Sequence, residues 1–184
     1  MWYKNIRITL DALRLLRGRG IKFRMFFIGD GYDAPSIKQY AEDNGLGDVC
    51  EFVGSVRDRE LLRTYYSMSD MFLFPSTFDT SGLVVKEAAA CDCPALLVRG
   101  SCACEGVTDD FTGFLADENP YSCSMRILSA VQDREHMRQV GANAGQNIYL
   151  SWDDAVAKAY NRYGEILEQW KGKPQKRVHA TMRD

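Results

Sequence analysis

Long apolar runs are missing from this sequence. No stretch approaches the roughly 20 residues that a membrane-spanning helix requires. The first residues also lack the pattern of a secretory signal, so a cytoplasmic protein is expected. Charge of one sign is missing as well: 23 Lys and Arg face 25 Asp and Glu. That balance argues against the basic field of a dedicated nucleic-acid binder. Histidine is scarce, with only His136 and His179, both in polar stretches. The six cysteines form no C-x2-C knuckle; Cys91-Asp92-Cys93 and Cys102-Ala103-Cys104 leave one-residue gaps. Structural zinc sites are not spaced that way. No metal site is expected, and the thiols read as reduced.

What is present is an ordinary globular composition, 46% hydrophobic and 26% charged over 184 residues. That is enough for one domain with a sizeable core. Charge is uneven only at the end. Residues 171–184 carry Lys171, Lys173, Lys176, Arg177 and Arg183 against Asp184 alone. They read as a solvated, flexible basic tail after a domain spanning 1–170. A sharper reading is a weak anchor on an anionic membrane surface, peripheral at its inner face.

Helical and extended patterns alternate along the chain. Ile6, Leu10, Leu13 and Leu16 recur at helical spacing in "YKNIRITLDALRLLRGRG" before Gly18 and Gly20. The short apolar run "IKFRMFFIG" reads as a buried strand. "APSIKQYAEDNGLG" reads as a helix closed by Asn44-Gly45. Strands are expected at "VCEFVG", "MFLFPS", "PALLVR" and "GFLA", with a helix at "DRELLRTYYSMSD" and another inside "PSTFDTSGLVVKEAAACDCPALL". The last fifty-odd residues hold helices only, the final one opened by Ser151, Asp153 and Asp154. The pattern predicts an α/β fold, a doubly wound, Rossmann-like parallel sheet with helices on both faces. Ligands of such sheets bind beyond the carboxyl ends of the strands.

Three strand ends could carry chemistry. "IGDGYDAPS" places Gly29 and Gly31 after a strand but has no third glycine, and Asp30 and Asp33 would repel a pyrophosphate. A tight turn explains it equally well. In "FVGSVRDREL", the turn at Ser55–Asp58 could offer backbone groups to a nucleobase, or be an ordinary connection. The third is the entry to the helix near Gly82. There the free amides of Gly82, Leu83 and Val84 would form a phosphate seat, with the positive end of the helix dipole behind them. Glu87 is read near Leu83, Val84, Ala88 and Cys91 on one stripe. Spacing leaves it open between a ligand role and a salt bridge or exposure at the stripe's rim. Asp79, taken alone, reads as a helix cap.

In order, the segments are "KNI", "FFIGDG", "VCEFVGSV", "YYSMSDMFLFPS", "FDTSGLVVKEAAACDCPALLV", "EGVTDDFTGFLA" and "SWDDAVAKAYNRYGEIL". Over about Lys4 to Trp170 they resemble the C-terminal, donor-binding domain of GT-B glycosyltransferases of the retaining family 4 (group 1) type. That family's hallmark is a pair of glutamates separated by seven residues; here the pair would be Asp79 and Glu87, the first one methylene short. The resemblance implies that Asp79 contacts hydroxyls of the donor sugar and that Glu87 holds the ribose. Backbone at Gly82, Leu83 and Val84, with Ser81 and Gly31 nearby, would hold the diphosphate, which Lys4 would neutralise. Val56 and its turn would take the base.

The implied reaction is metal-independent transfer of a sugar from a nucleotide diphosphate sugar to a saccharide or lipid-linked acceptor, with retention of configuration. It needs no cofactor. Such a chain would await an N-terminal acceptor-binding domain, whose absence would leave Trp152, Tyr160, Tyr163 and Trp170 to promote self-association. Polysaccharide biosynthesis is the implied setting. Two further readings stand beside it: a non-catalytic nucleotide or nucleotide-sugar binding module, and an NAD-dependent oxidoreductase, which the incomplete glycine motif disfavours.

The sequence departs from the family in three places. Ser81 stands where an aromatic is common. Asp92 replaces a glycine that often ends the helix, though Asp tolerates left-handed torsions. The family's first strand, with its Gly-Arg pair, has no counterpart. In the family sheet that strand lies between those matching "KFRMFFIG" and "MFLFPS". A rearranged sheet, a strand from another chain, or a longer parent protein is therefore expected.

Overall fold

The computed structural model describes residues 1–80 and 82–171. The basic tail beyond Lys171 and the site residue Ser81 lie outside the described residues. The chain divides into two compact units, one spanning Met1–Tyr149 and a second beginning at Leu150.

The first unit opens with a 3-10 turn at Trp2–Lys4, then α1 (Ile6–Gly18), which buries Leu10, Leu13 and Leu16 on its inner face. The alternation that follows is β1 (Met25–Ile28), α2 (Ala34–Asp43), β2 (Cys50–Gly54), α3 (Arg59–Met68), β3 (Phe72–Phe74) and α4 (Leu83–Ala89). Next come β4 (Ala95–Val98), a 3-10 turn at Cys102–Cys104, β5 (Phe114–Ala116), α5 (Pro120–Gln132) and α6 (Arg134–Asn147). β1 is shorter than the apolar run that encodes it, because Ile21 turns its amide back to the Leu16 carbonyl at 3.1 Å and closes α1. Gly45 has the left-handed torsion expected of the residue that ends α2, with φ +69°. Asp92, just past α4, is also left-handed, at φ +53°.

Every strand pairing is parallel, as an α/β fold requires. The strands do not form one continuous sheet. β1 pairs with β2, and separately β3, β4 and β5 lie in that order. Among the described residues neither β1 nor β3 has a partner on its other edge, and these are the edges between which the family resemblance places an additional strand.

Strand β4 is buried along its whole length and divides the interior. Leu96 joins a large cluster with Phe114, the three leucines of α1, Ile37 of α2, Ile127 of α5, and Met137 and Val140 of α6. Ala95 and Leu97, on the opposite face, meet Val85 of α4 and Ala103 of the second 3-10 turn. This alternation is the pleat of a strand covered on both sides. Within the three-stranded sheet the strands run the same way, so the connections leaving their carboxyl ends share one rim with the entry to α4.

The second unit is described by one helix, α7 (Trp152–Lys171), with Asp153 and Asp154 in its first turn. Its start is fixed by the Ser151 hydroxyl, which accepts from the Asp154 amide at 3.1 Å.

Candidate functional site

Lys4 ends the first 3-10 turn, and Asp79 lies in the long β3–α4 connection. Although they lie 75 positions apart, the Lys4 Nζ is 2.8 Å from Asp79 Oδ2 and donates to the Phe78 carbonyl at 2.9 Å. Both side chains are about one-quarter exposed, so the pair sits at a rim, neither buried nor free in solvent. The bond from Lys4 holds the Asp79 carboxyl below its ordinary value, with help from the Gly82 and Thr80 amides. Asp79 is therefore an anion at neutral pH.

The other carboxylate oxygen organises the entry to α4. Oδ1 of Asp79 accepts from the Thr80 amide at 2.9 Å and from the Gly82 amide at 3.4 Å. The reading of Asp79 as a helix cap is corrected: the N-cap of α4 is Gly82, which has no side-chain cap bond, and Asp79 instead holds the turn that leads into it. A second expectation changes. Of the three amides expected to stand free, that of Gly82 is already engaged by Asp79. The Leu83 and Val84 amides have no hydrogen-bond partner among the described residues.

Gly82 is required by its conformation and by its neighbour. It is left-handed, at φ +56°, and a Cβ there would stand 3.1 Å from Cα of Ala103. The β4–β5 connection is thereby pressed directly onto the start of α4. The stripe read for Glu87 is also corrected. The face of α4 that meets the core carries Val85, Ala88 and Ala89, while Leu83 is exposed. The apolar stretch exceeds what one face of a two-turn helix can bury, which leaves Leu83 outside.

Glu87 is half-buried beside that face and pairs with Arg59, whose Nη1 lies 3.0 Å from Oε1. Of the alternatives left by spacing, the salt bridge is present; Arg59 itself is highly exposed and able to swing away. Arg59 is the first residue of α3, fixed by Asp58, which accepts from the Glu60 and Leu61 amides. It follows the turn containing Val56 by three residues, so that turn and Glu87 are brought to the same part of the rim. Gly31 lies against Met1, whose Cγ would be 2.8 Å from an added Cβ and whose carbonyl accepts from the Lys4 amide at 3.1 Å. The turns holding Gly31 and Val56 are neighbours, since the Gly29 amide donates to the Gly54 carbonyl at 2.8 Å.

Sequence reasoning missed Arg59, and it treated Asn5 only as part of a motif. The signal for Arg59 was its place just after a capping Asp at a strand-end turn. Among the described residues, no group of three His, Cys, Asp or Glu could hold a metal ion. All six cysteines are free. Burial pushes the Cys93 thiol up to about 12, and it sits in the core as an inert small side chain.

The rim thus joins a basic side chain, a helix entry and two carboxylates eight positions apart in sequence. The model of the glycosyl transferases group 1 family matches residues 1–147. The chain belongs to that family. It is 28% identical over 163 residues to the GDP-mannose-dependent alpha-(1-6)-phosphatidylinositol dimannoside mannosyltransferase of Mycobacterium tuberculosis, covering 89% of this chain and 41% of that protein. It is likewise 28% identical over 182 residues to the sulfoquinovosyl transferase SQD2 of Arabidopsis thaliana, covering 96% of this chain and 34% of the relative. The chain therefore spans less than half the length of these group 1 relatives.

Solved structures agree on the fold. The sucrose-phosphate synthase tll1590 from Thermosynechococcus elongatus superposes with a TM-score of 0.79 at 22% identity, over 92% of this chain and 44% of that one. Anabaena Alr3699/HepE, solved in complex with UDP and glucose, gives 0.72 at 21% identity, over 91% of this chain and 45% of its own. The group 1 chain thus has the Rossmann-like architecture of a GT-B C-terminal domain. Among its described residues no helix is long and apolar enough to cross a membrane.

Proposed function

We propose that this chain is the donor-binding half of a glycosyltransferase, taking a sugar from a nucleotide diphosphate sugar with retention of configuration and without a metal. One observation carries the reading: the ion pair of Lys4 and Asp79 at the entry to α4. In that pair a cation suited to a diphosphate stands beside a carboxylate suited to sugar hydroxyls. The open amides of Leu83 and Val84 add donors at the same place. Glu87 takes the ribose hydroxyls once Arg59 releases it, and the turn at Val56 takes the base.

In the transfer step, negative charge grows on the departing diphosphate. Lys4 and the α4 entry stabilise that charge in place, and the stabilisation is greatest when the bond to the sugar breaks. Asp79 orients the sugar. The acceptor, a saccharide or lipid-linked saccharide, would be held by a second domain. The Trp152, Tyr160, Tyr163 and Trp170 side chains of α7 supply apolar surface for such a partner or for self-association. UDP in a structural neighbour and GDP-mannose in a relative's name support a nucleotide-sugar donor.

Thermal unfolding with UDP, GDP and ADP, each free and sugar-linked, tests the reading. A nucleotide at 100 times its dissociation constant stabilises by about 2.7 kcal/mol. Glu87→Ala is expected to abolish that shift while helical content stays unchanged. Absence of any shift in the native protein overturns the proposal, and an undiminished shift in the variant assigns Glu87 to structure alone.

A further inference from the structure

Asn5 follows Lys4 directly and behaves unlike an ordinary helix cap. It is the N-cap of α1, where an asparagine side chain normally accepts from an amide of the first turn. Here it makes no such bond. Its backbone is left-handed, at φ 58° and ψ 31°, a conformation asparagine tolerates better than most residues. The side chain is directed away from α1 altogether. Its Nδ2 donates to the Pro75 carbonyl at 2.9 Å and to Glu118 Oε1 at 2.7 Å. Both partners are acceptors, so only the amino side of the amide satisfies them.

The same Glu118 oxygen accepts from the Thr77 hydroxyl at 3.0 Å. Three segments distant in sequence therefore meet: residues 4–5, the β3–α4 connection, and the segment just after β5. Glu118 is exposed, where an isolated ion pair would contribute little. Two side-chain donors on one carboxylate oxygen form a more directional arrangement. Asn5 is covalently next to Lys4, and Thr77 lies two residues before Asp79. Each end of the clamp is thus attached to one member of the ion pair.

We propose that Asn5 and Glu118, through Thr77, are positioning residues that fix the Lys4 ammonium against Asp79 and so preset the cation for the donor diphosphate. The clamp rests on the donor-site reading for its purpose, but its existence does not. The left-handed torsion at Asn5 turns the chain between the 3-10 turn and α1 and points Lys4 at the α4 entry. The two hydrogen bonds of the Asn5 side chain hold that turn to the β3–α4 connection at Pro75 and to the segment after β5 at Glu118. Without them Lys4 keeps its charge but loses its fixed direction, and long lysine side chains have much rotamer freedom to recover.

Two measurements separate the clamp from the donor reading. The first follows the Asp79 carboxyl carbon by NMR as a function of pH in the protein without ligand. The second measures affinity for UDP-glucose and GDP-mannose by calorimetry. Asn5→Gly retains the left-handed backbone but removes the side-chain donors; Glu118→Ala removes their common acceptor; Glu118→Gln restores a carbonyl acceptor.

In Asn5→Gly and Glu118→Ala, the Asp79 midpoint is expected to rise toward the ordinary carboxylate value. The affinity for whichever sugar nucleotide binds should fall roughly tenfold, about 1.4 kcal/mol. Glu118→Gln is expected to recover most of both. An unchanged Asp79 midpoint in the two disruptive variants overturns the clamp, even if the native protein binds sugar nucleotides. A moved midpoint in a protein that binds neither nucleotide upholds the clamp and overturns the donor-site reading.

Discussion

The two apolar clusters on either side of β4 are built differently. The larger is made of Leu10, Leu13, Leu16, Leu46, Leu96, Phe114 and their neighbours, big side chains that fill the space between α1, α5 and the strands. The smaller buries Val85, Ala95, Leu97 and Ala103, with Phe72, Phe74, Val107 and Leu115 partly buried against them, and its two alanines are its smallest members. Large side chains bury area, which gives stability but keeps backbones apart. Small ones bury little and let backbones approach, which is how Ala103 comes to lie against Gly82. One face of the strand stabilises the unit, and the other sets the geometry of the rim where Asp79 and Lys4 meet.

Truncation on the large side should produce the largest effect. Leu10 is fully buried. Leu10→Ala is expected to cost about 2–5 kcal/mol from lost burial and the cavity left behind. At roughly 2–4 °C per kcal/mol for a chain of this size, calorimetry will resolve it. Nucleotide affinity, measured well below the melting temperature, should be preserved.

Enlargement on the small side should reverse that pattern. Gly82→Ala places a methyl against the Ala103 backbone at a left-handed torsion, which costs about 1–2 kcal/mol. The stability loss is smaller than for Leu10→Ala, yet nucleotide binding should fall sharply because the α4 entry is displaced. If Gly82→Ala binds normally, the contrast between the two faces is wrong.

The smallest expected effect is electrostatic. Asp109 loses some ionisation to burial, but Arg99, the Leu115 amide and Arg126 outweigh this and hold its carboxyl below the usual 3.8. His136 and then Arg126 act likewise on Asp110, and Lys4 on Asp79. Carboxyls depressed in the folded state stabilise it fully above their unfolded value and lose that contribution as pH falls through the folded one. Stability should therefore be flat from pH 6 to about 4.5 and decline below about pH 4. Asp109→Asn should flatten the acid limb, as read from melting temperatures across that range.

Much of the fold was legible because it is written in local periods. The leucines of α1 declare its inner face, and Asn44-Gly45 declares the end of α2. The division into two sheets was legible only through the family resemblance, since strand pairing is a long-range choice. The site divides in the same way. Asp79, Glu87 and the entry at Gly82 sit within one short stretch; local pattern marked the helix entry, and the family resemblance paired the two carboxylates.

The partners of those residues come from afar. Lys4 reaches Asp79 across 75 positions, and Asn5 reaches Glu118 across 113. No local pattern encodes which distant side chain a given rim residue will meet. Arg59 pairs with Glu87 because β2 delivers the start of α3 beside α4, a consequence of topology and not of propensity.

The central claim is that a nucleotide diphosphate docks where Lys4, Asp79 and the amides of α4 converge. Amide NMR of the labelled protein titrated with UDP-glucose and GDP-mannose addresses it most directly. Shifts concentrated at Lys4, Asp79, Gly82, Leu83 and Val84, and extending to Val56 and Arg59, are the predicted result. Saturable binding whose shifts centre elsewhere, for example on the hollow formed by Asn119, Ser122 and Arg126, would contradict it.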